Sequence, residues 1–310
     1  MAAVSSTDGS TRLPWGRIGL VGLAAGFMSG LFGVGGGVVI VPLLLIVAAF
    51  PAKLATGTSL SAIAPISVSG VVGYATGGEV DWVVALFLAV GAIAGAVIGT
   101  RLLVRISAPL LQILFAGAMV ATAVRLVVAD ADPSGRGHLT VLLAVALVLL
   151  GLASGVLAGL LGVGGGIVIV PALTLLVGVP LVLAKGTSLA VILPTAVIGT
   201  LRNRRTELTA LRPAAVVGVA GIVSAFAGSK LSLHLDADIS RTLFALLLVV
   251  VALRLARTGL QGVRTARRRP PGTAPPAPRR PAARSTGRGG RPGARPRRPA
   301  GGGAGRAGDG

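Results

Sequence analysis

Between residues 16 and 257 the chain is a succession of apolar stretches of membrane length, and that feature removes most folds from consideration. A spanning helix needs about 20 apolar residues at a rise of about 1.5 Å per residue. Stretches of this kind occupy residues 54–73, 82–103, 109–128, 139–160, 184–201, 213–229 and 241–256. Residues 16–32, 38–50 and 167–177 are also apolar but shorter, and only glycine separates them from their neighbours. Across 310 residues, 53% are hydrophobic and 12% charged, about half the roughly 25% charge that a soluble domain carries. An all-α, polytopic membrane protein is therefore expected, with the lipid bilayer as its surroundings. The first fifteen residues are polar, and the apolar region behind them has no clear cleavage site, so no signal peptide is read here.

The chain is a duplication. Residues 26–42 read GFMSGLFGVGGGVVIVP and residues 155–171 read GVLAGLLGVGGGIVIVP, identical at twelve of seventeen positions with an offset of 129. The same offset pairs Gly57-Thr58-Ser59-Leu60 with Gly186-Thr187-Ser188-Leu189, Pro65 with Pro194, Gly70 with Gly199 and Phe115 with Phe244. One register held over a hundred residues marks two homologous halves. The organisation read from this is a polar N-terminus (1–15), a first transmembrane repeat (16–129), a connecting loop (130–138), a second repeat (139–258) and a tail (259–310).

The formal net charge is +20, but residues 261–310 hold thirteen Arg and one Asp and so contribute +12 of it. This Arg/Pro/Gly/Ala segment has no apolar periodicity and is expected to be disordered. A polybasic tail can touch anionic lipid or nucleic acid; the simpler reading is a solvated segment of biased composition, and no nucleic-acid partner is expected. Charge in the remaining loops is more informative. Residues 74–81 carry Glu79 and Asp81 and no base, whereas their counterparts 202–212 carry Arg202, Arg204, Arg205 and Arg212 against Glu207. The next pair reverses: Arg101 and Arg105 in the first half, Lys230 with His234, Asp236 and Asp238 in the second. Under the positive-inside rule equivalent loops then lie on opposite faces, so each half crosses the membrane an odd number of times. This predicts two inverted-topology repeats of about four to five helical segments each, in a cytoplasmic membrane, with the C-terminal tail cytoplasmic.

The arms on either side of residues 33–37 are short for a hydrocarbon layer about 30 Å thick. Non-helical backbone at membrane depth is tolerated only under cover of protein or in a water-filled cavity. The Gly-rich turns are therefore placed inside the protein between short or broken helices, a pattern of secondary transporters. In Gly33, Gly35, Gly36 and Gly37, and in Gly162, Gly164, Gly165 and Gly166, the missing side chains expose consecutive backbone N–H groups just before a helix. Helix N-termini attract anions through unpaired donors and the dipole, so two such ends facing each other would hold a small oxyanion. The alternative is that these glycines only allow close helix packing. A nucleotide loop is excluded, because Lys185-Gly186-Thr187-Ser188 reverses the Gly-Lys-Ser/Thr order and GxGxxG spacing is missing.

Thr58, Ser59, Thr187 and Ser188 sit just inside the following helix of each half. They either donate to substrate oxygens or bond backbone groups nearby. Lys185 stands where the first half has Thr56; facing inward it would imply a function, and near a helix end it would snorkel to the interface. Pro42, Pro65, Pro171 and Pro194 are expected to kink their helices. There is no cysteine, the two histidines, His138 and His234, fall in expected loops, and no acid lies within an apolar segment. No catalytic residue, metal site or cofactor is expected, and an enzyme is not.

The doubled GLFGVGGGVVIVP and GLLGVGGGIVIVP, each followed by Gly-Thr-Ser-Leu, resemble the sulfite exporter TauE/SafE family of membrane transporters over about residues 16–257. The resemblance implies a transporter of small anions such as sulfite or an organosulfonate. The expectation is thus a secondary transporter exporting a small anion. An importer or channel for another small solute, or a membrane scaffold acting through its polybasic tail, is the alternative. Oligomeric state is not legible.

Overall fold

The computed structural model describes residues 15–105, 116–117, 119–120, 123–124, 140–205 and 208–267. Most of the apolar stretch 109–128, the connecting loop 130–138 and the tail beyond 267 lie outside the described residues.

The described secondary structure is helical throughout: α1 (Trp15–Phe32), α2 (Gly37–Val47), α3 (Ala52–Ala75), α4 (Trp82–Arg105), α5 (Val141–Leu161), α6 (Gly166–Ala172), α7 (Leu181–Arg205), α8 (Leu211–His234) and α9 (Ala237–Arg267). A single π turn, Leu173–Val177, continues α6. Six of these helices, α1, α3, α4, α5, α7 and α8, are long and apolar enough to cross a bilayer, whereas α2 and α6 are short. The chain is a polytopic, all-helical membrane protein. The last helix runs on to Arg267, past the 258 boundary read from the sequence.

Small residues decide which helices meet. In α1, Gly22, Gly26 and Gly30 recur every four residues and so form one stripe. That stripe lies directly on the α8 backbone at Val217, Gly221 and Ala225. The counterpart stripe in α5, Gly151, Gly155 and Gly159, lies on the α4 backbone at Leu88, Ala92 and Ala96, where α4 answers with its own Gly91, Gly95 and Gly99. In a bilayer there is little hydrophobic gain from joining two apolar helices, so backbone approach over small residues drives the pairing. The order of contacts makes α1 parallel to α8 and α4 parallel to α5. Large apolar side chains are left facing outward, among them Leu20, Leu86, Leu142 and Val223.

At the centre α3 packs on α7. A Cβ on Gly70 would meet the Leu189 side chain at 2.7 Å and one on Gly199 the Leu60 side chain at 3.0 Å, so these two helices run antiparallel. The glycine contacts of the paired stripes and of α3 with α7 come in pairs. Where residue i touches residue j of the other half, the counterpart of i touches the counterpart of j, as at a two-fold interface. The two halves exchange partners: α1 of the first packs on α8 of the second, and α5 of the second on α4 of the first.

Pro42, Pro65, Pro171 and Pro194 all lie inside helices that continue past them. Pro171 stands two residues before the π turn, where Thr174 Oγ1 donates to the carbonyls of Val170 (3.1 Å) and Pro171 (2.9 Å). The first half has no such turn: α2 runs as regular helix through the equivalent residues.

Candidate functional site

The two Gly-rich turns meet inside the protein. Gly33, Gly35 and Gly36 have φ of 70°, 85° and 70°, and Gly162, Gly164 and Gly165 have 68°, 87° and 82°. Three left-handed residues in a span of four are affordable only to glycine. The fifth glycine serves closeness instead: a Cβ on Gly37 would strike the Gly162 carbonyl, and one on Gly166 would come within 2.6 Å of the Gly33 carbonyl. Gly36 and Gly165, both left-handed, are the N-caps of α2 and α6. The first bonded amides of α2 are those of Val39 and Ile40, both to Gly36 O at 3.0 Å. Gly37 and Val38 thus hold N-terminal donors without a helical partner.

The hydroxyls singled out in the sequence tie the halves together. Ser59 donates to the Gly162 carbonyl (2.7 Å) and Ser188 to the Gly33 carbonyl (2.9 Å). Thr58 Oγ1 accepts from the Ala210 amide (3.0 Å) and Thr187 Oγ1 from the Asp81 amide (2.9 Å). All four are buried. The loop before α8 therefore closes on the start of α3, and the loop before α4 on the start of α7. In the second of these contacts Glu79 lies over Gly186, and its partial burial pushes the Glu79 carboxyl above the usual carboxylate range.

A cavity of about 350 Å³ opens beside the crossed turns. Gly37 and Gly165 reach it from the turns, Val38, Val41 and Pro42 from α2, and Leu157, Leu160 and Val163 from the end of α5 and its turn. Its wall is apolar, with Thr56, Lys53 and Arg254 as the polar exceptions. Lys53 and Arg254 are exposed, and Arg254 donates to the Val38 carbonyl at 3.2 Å. The cavity's donors are two cations and the open amides at the start of α2, while the Thr56 hydroxyl donates to the Ala52 carbonyl at 2.9 Å: a set suited to a small anion with an apolar portion. Sequence reasoning missed Lys53, Thr56 and Arg254 as site residues. Arg254 lies near the end of an apolar stretch and Lys53 just before another, and neither belongs to the glycine motifs.

Lys185 does not snorkel. It is 1% exposed, and its Nζ donates to Ser240 Oγ (2.7 Å) and Ser232 Oγ (3.1 Å). The rings of Phe32 and Phe244 lie 5.9 and 6.0 Å from the ammonium. It stands apart from the cavity, on the other side of the crossed turns: Lys185 lies against Gly33, whereas Thr56 lies against Gly162. His234 ends α8 rather than lying in a loop, exposed, with Nδ1 2.8 Å from the Lys230 carbonyl. Among the described residues no group of His, Asp and Glu could hold a metal ion.

The family model described as "Sulfite exporter TauE/SafE" matches residues 2–126 and 147–306. A "Probable membrane transporter protein" of Xylella fastidiosa (strain Temecula1) is 31% identical over 243 residues, covering 77% of this chain and 92% of its own. The "Probable membrane transporter protein YdhB" of Bacillus subtilis is 30% identical over 188 residues, covering 58% of this chain and 75% of its own. No solved structure gives a significant match. With the doubled glycine turns, the six apolar helices and a family match over most of its length, the chain belongs to the sulfite exporter TauE/SafE family and is a membrane transporter, not an enzyme.

Proposed function

We propose that this transporter exports a small anion, sulfite or an organosulfonate, across the cytoplasmic membrane. The observation that carries the reading is the cavity where the glycine turns cross, with Lys53 and Arg254 at its mouth and Thr56 in its wall. Cations at the mouth concentrate anions, and the α2 amides supply fixed donors in a poorly hydrated place.

The repeats are inverted in the membrane. Support comes from helix direction: α3 and α7, which are counterparts, run antiparallel, while α1 and α3 both run parallel to α8. The cavity shares its face with the basic residues. Gly57 and Thr58, beside the cavity's Thr56, touch the loop between Arg205 and Arg212, whereas Thr187 binds the acidic loop at Asp81. By the positive-inside rule the cavity then opens to the cytoplasm, which is where an exporter loads, and the C-terminal tail is cytoplasmic too. Among the described residues every carboxylate, Glu79, Asp81, Asp236 and Asp238, lies in a loop or the first turn of α9. Efflux driven by the anion's own gradient or by membrane potential needs no titratable site within the helices.

The test is flux from proteoliposomes loaded with sulfite, sulfoacetate, thiosulfate, sulfate or a neutral solute. Sulfite or sulfoacetate leaves fastest, and Lys53→Gln or Arg254→Gln, each removing one cation at the cavity mouth, slows that flux several-fold while expression persists. Equal flux of the neutral solute, or unchanged flux in both variants, would overturn the reading.

A further inference from the structure

Part of the cavity's wall has equivalents in the second half that pack more tightly: Val170 for Val41, Phe32 for Leu161 and Val34 for Val163. Val41, Leu161 and Val163 are only half-buried, whereas Val170, Phe32 and Val34 are 0%, 5% and 3% exposed. Where the open cavity has Thr56, the tighter, closed half has Lys185. A looser and a tighter version of one arrangement in two repeated halves is the asymmetry on which alternation between two states rests.

The closed half holds an unbalanced charge. Among the described residues no carboxylate lies within ion-pair distance of Lys185; its partners are the Ser232 and Ser240 hydroxyls and two aromatic faces. Tyr74, also buried, donates its hydroxyl to the Gly30 carbonyl at 2.7 Å. A buried cation inside a membrane protein is costly and is ordinarily paired or functional. An ammonium has three donors and two are used here. A helix interior needs no such residue, and the first half does without one.

We propose that Lys185, with Ser232 and Ser240, is a second anion site, closed in this structure, that opens toward the face opposite the Lys53 cavity and receives the anion there. This rests on the anion-transport reading, and Lys185 is the counter-charge that the anion meets before release. Because α6 has its π turn where α2 is regular, the closed half also has a local irregularity able to absorb the opening.

The chain has no cysteine, so single thiols report accessibility without background. Met119→Cys, in the open cavity, and Leu248→Cys, its counterpart, are reacted in oriented vesicles with a membrane-impermeant cationic methanethiosulfonate. Met119→Cys reacts from the Lys53 face and Leu248→Cys, more slowly, from the other. Sulfoacetate slows labelling of Leu248→Cys by about tenfold, and Lys185→Met removes that protection while Lys185→Arg keeps it. Protection of Met119→Cys persists in all three backgrounds, which also reports that the variants fold. No labelling of Leu248→Cys from either face, or protection unchanged by Lys185→Met, overturns the proposal. Loss of protection at both thiols in the Lys185 protein would instead sink the anion-transport reading beneath it.

Discussion

Ser59 of the first half donates its hydroxyl to the carbonyl of Gly162 in the second, 2.7 Å away, and Ser188 returns the same bond to Gly33 at 2.9 Å. These bonds clamp each glycine turn to the start of the opposite central helix. Removing one leaves a buried carbonyl unsatisfied, at a cost of about 1–3 kcal/mol. Ser59→Ala and Ser188→Ala should each lower the unfolding temperature in detergent by several degrees, at about 2–4 °C per kcal/mol. The double variant should depart from additivity, because both bonds hold the same pair of turns. A Ser59→Ala protein as stable as the parent would show that the clamp contributes nothing.

Glycine tolerance should follow the nature of the neighbour. A Cβ on Gly57 would collide with the Leu208 carbonyl, and one on Gly186 with the Glu79 carbonyl; both obstacles are backbone in a closed loop. At Gly70 and Gly199 the obstacle is the tip of Leu189 or Leu60, which can rotate. Gly57→Ala and Gly186→Ala are expected to cost several kcal/mol and to cut the folded yield. Gly70→Ala and Gly199→Ala should cost about 1 kcal/mol or less. Size-exclusion profiles and thermal unfolding of the four proteins separate these cases, and equal losses would sink the distinction.

The central facts of this fold were written in the sequence because a bilayer reduces the choices. Apolar length gave the helices, and the offset of 129 means that one contact between the halves implies its reciprocal, as Ser188 with Gly33 implies Ser59 with Gly162. What could not be read was partner choice. The stripes Gly22/Gly26/Gly30 and Gly151/Gly155/Gly159 announce a contact face but not that α1 meets α8 and α5 meets α4. The fate of Lys185 was hidden for a related reason. Four residues into α7 it could reach either water or protein, and only the tertiary arrangement of Ser232, Ser240, Phe32 and Phe244 decides. The cavity was out of reach because its charged residues, Lys53 and Arg254, are two hundred residues apart and lie outside the glycine motifs.

Truncation after Arg267, the end of α9, should leave transport unchanged. The residues removed are Arg-, Pro- and Gly-rich and offer no apolar face to a helix. Vesicle flux of the truncated protein checks this; a large loss would move the function toward a scaffold acting through its tail.

Glu79 supplies a pH dependence with a defined sign. Its carboxyl is pushed up by partial burial against the start of α7. A folded-state value above the unfolded one means that the native protein binds more protons, so its stabilising effect is present below the unfolded value and is lost as pH rises through the folded one. From roughly pH 4 toward neutrality, the window just above the usual glutamate value of about 4.3, the parent should lose stability relative to Glu79→Gln. Unfolding temperatures of the two proteins across that range should diverge as pH rises. Parallel curves would show that the group is fully solvated.

Ala49 and Gly178 occupy the same place in the two halves, just after the short helix, and both are left-handed, with φ of 49° and 73°. For alanine that conformation costs about 1–2 kcal/mol, since Cβ crowds the following carbonyl. Glycine there avoids the strain but gives up roughly 0.5–1 kcal/mol through the freedom of the unfolded chain. The strain is the larger, so Ala49→Gly should raise stability slightly. Gly178→Ala should lower it although a Cβ at Gly178 would meet nothing within 4 Å, which isolates backbone strain from packing. Both changes can be read from unfolding temperature in detergent. Opposite signs at two equivalent positions are the diagnostic outcome; a loss at Ala49→Gly would mean that the α2–α3 link relaxes out of the left-handed region.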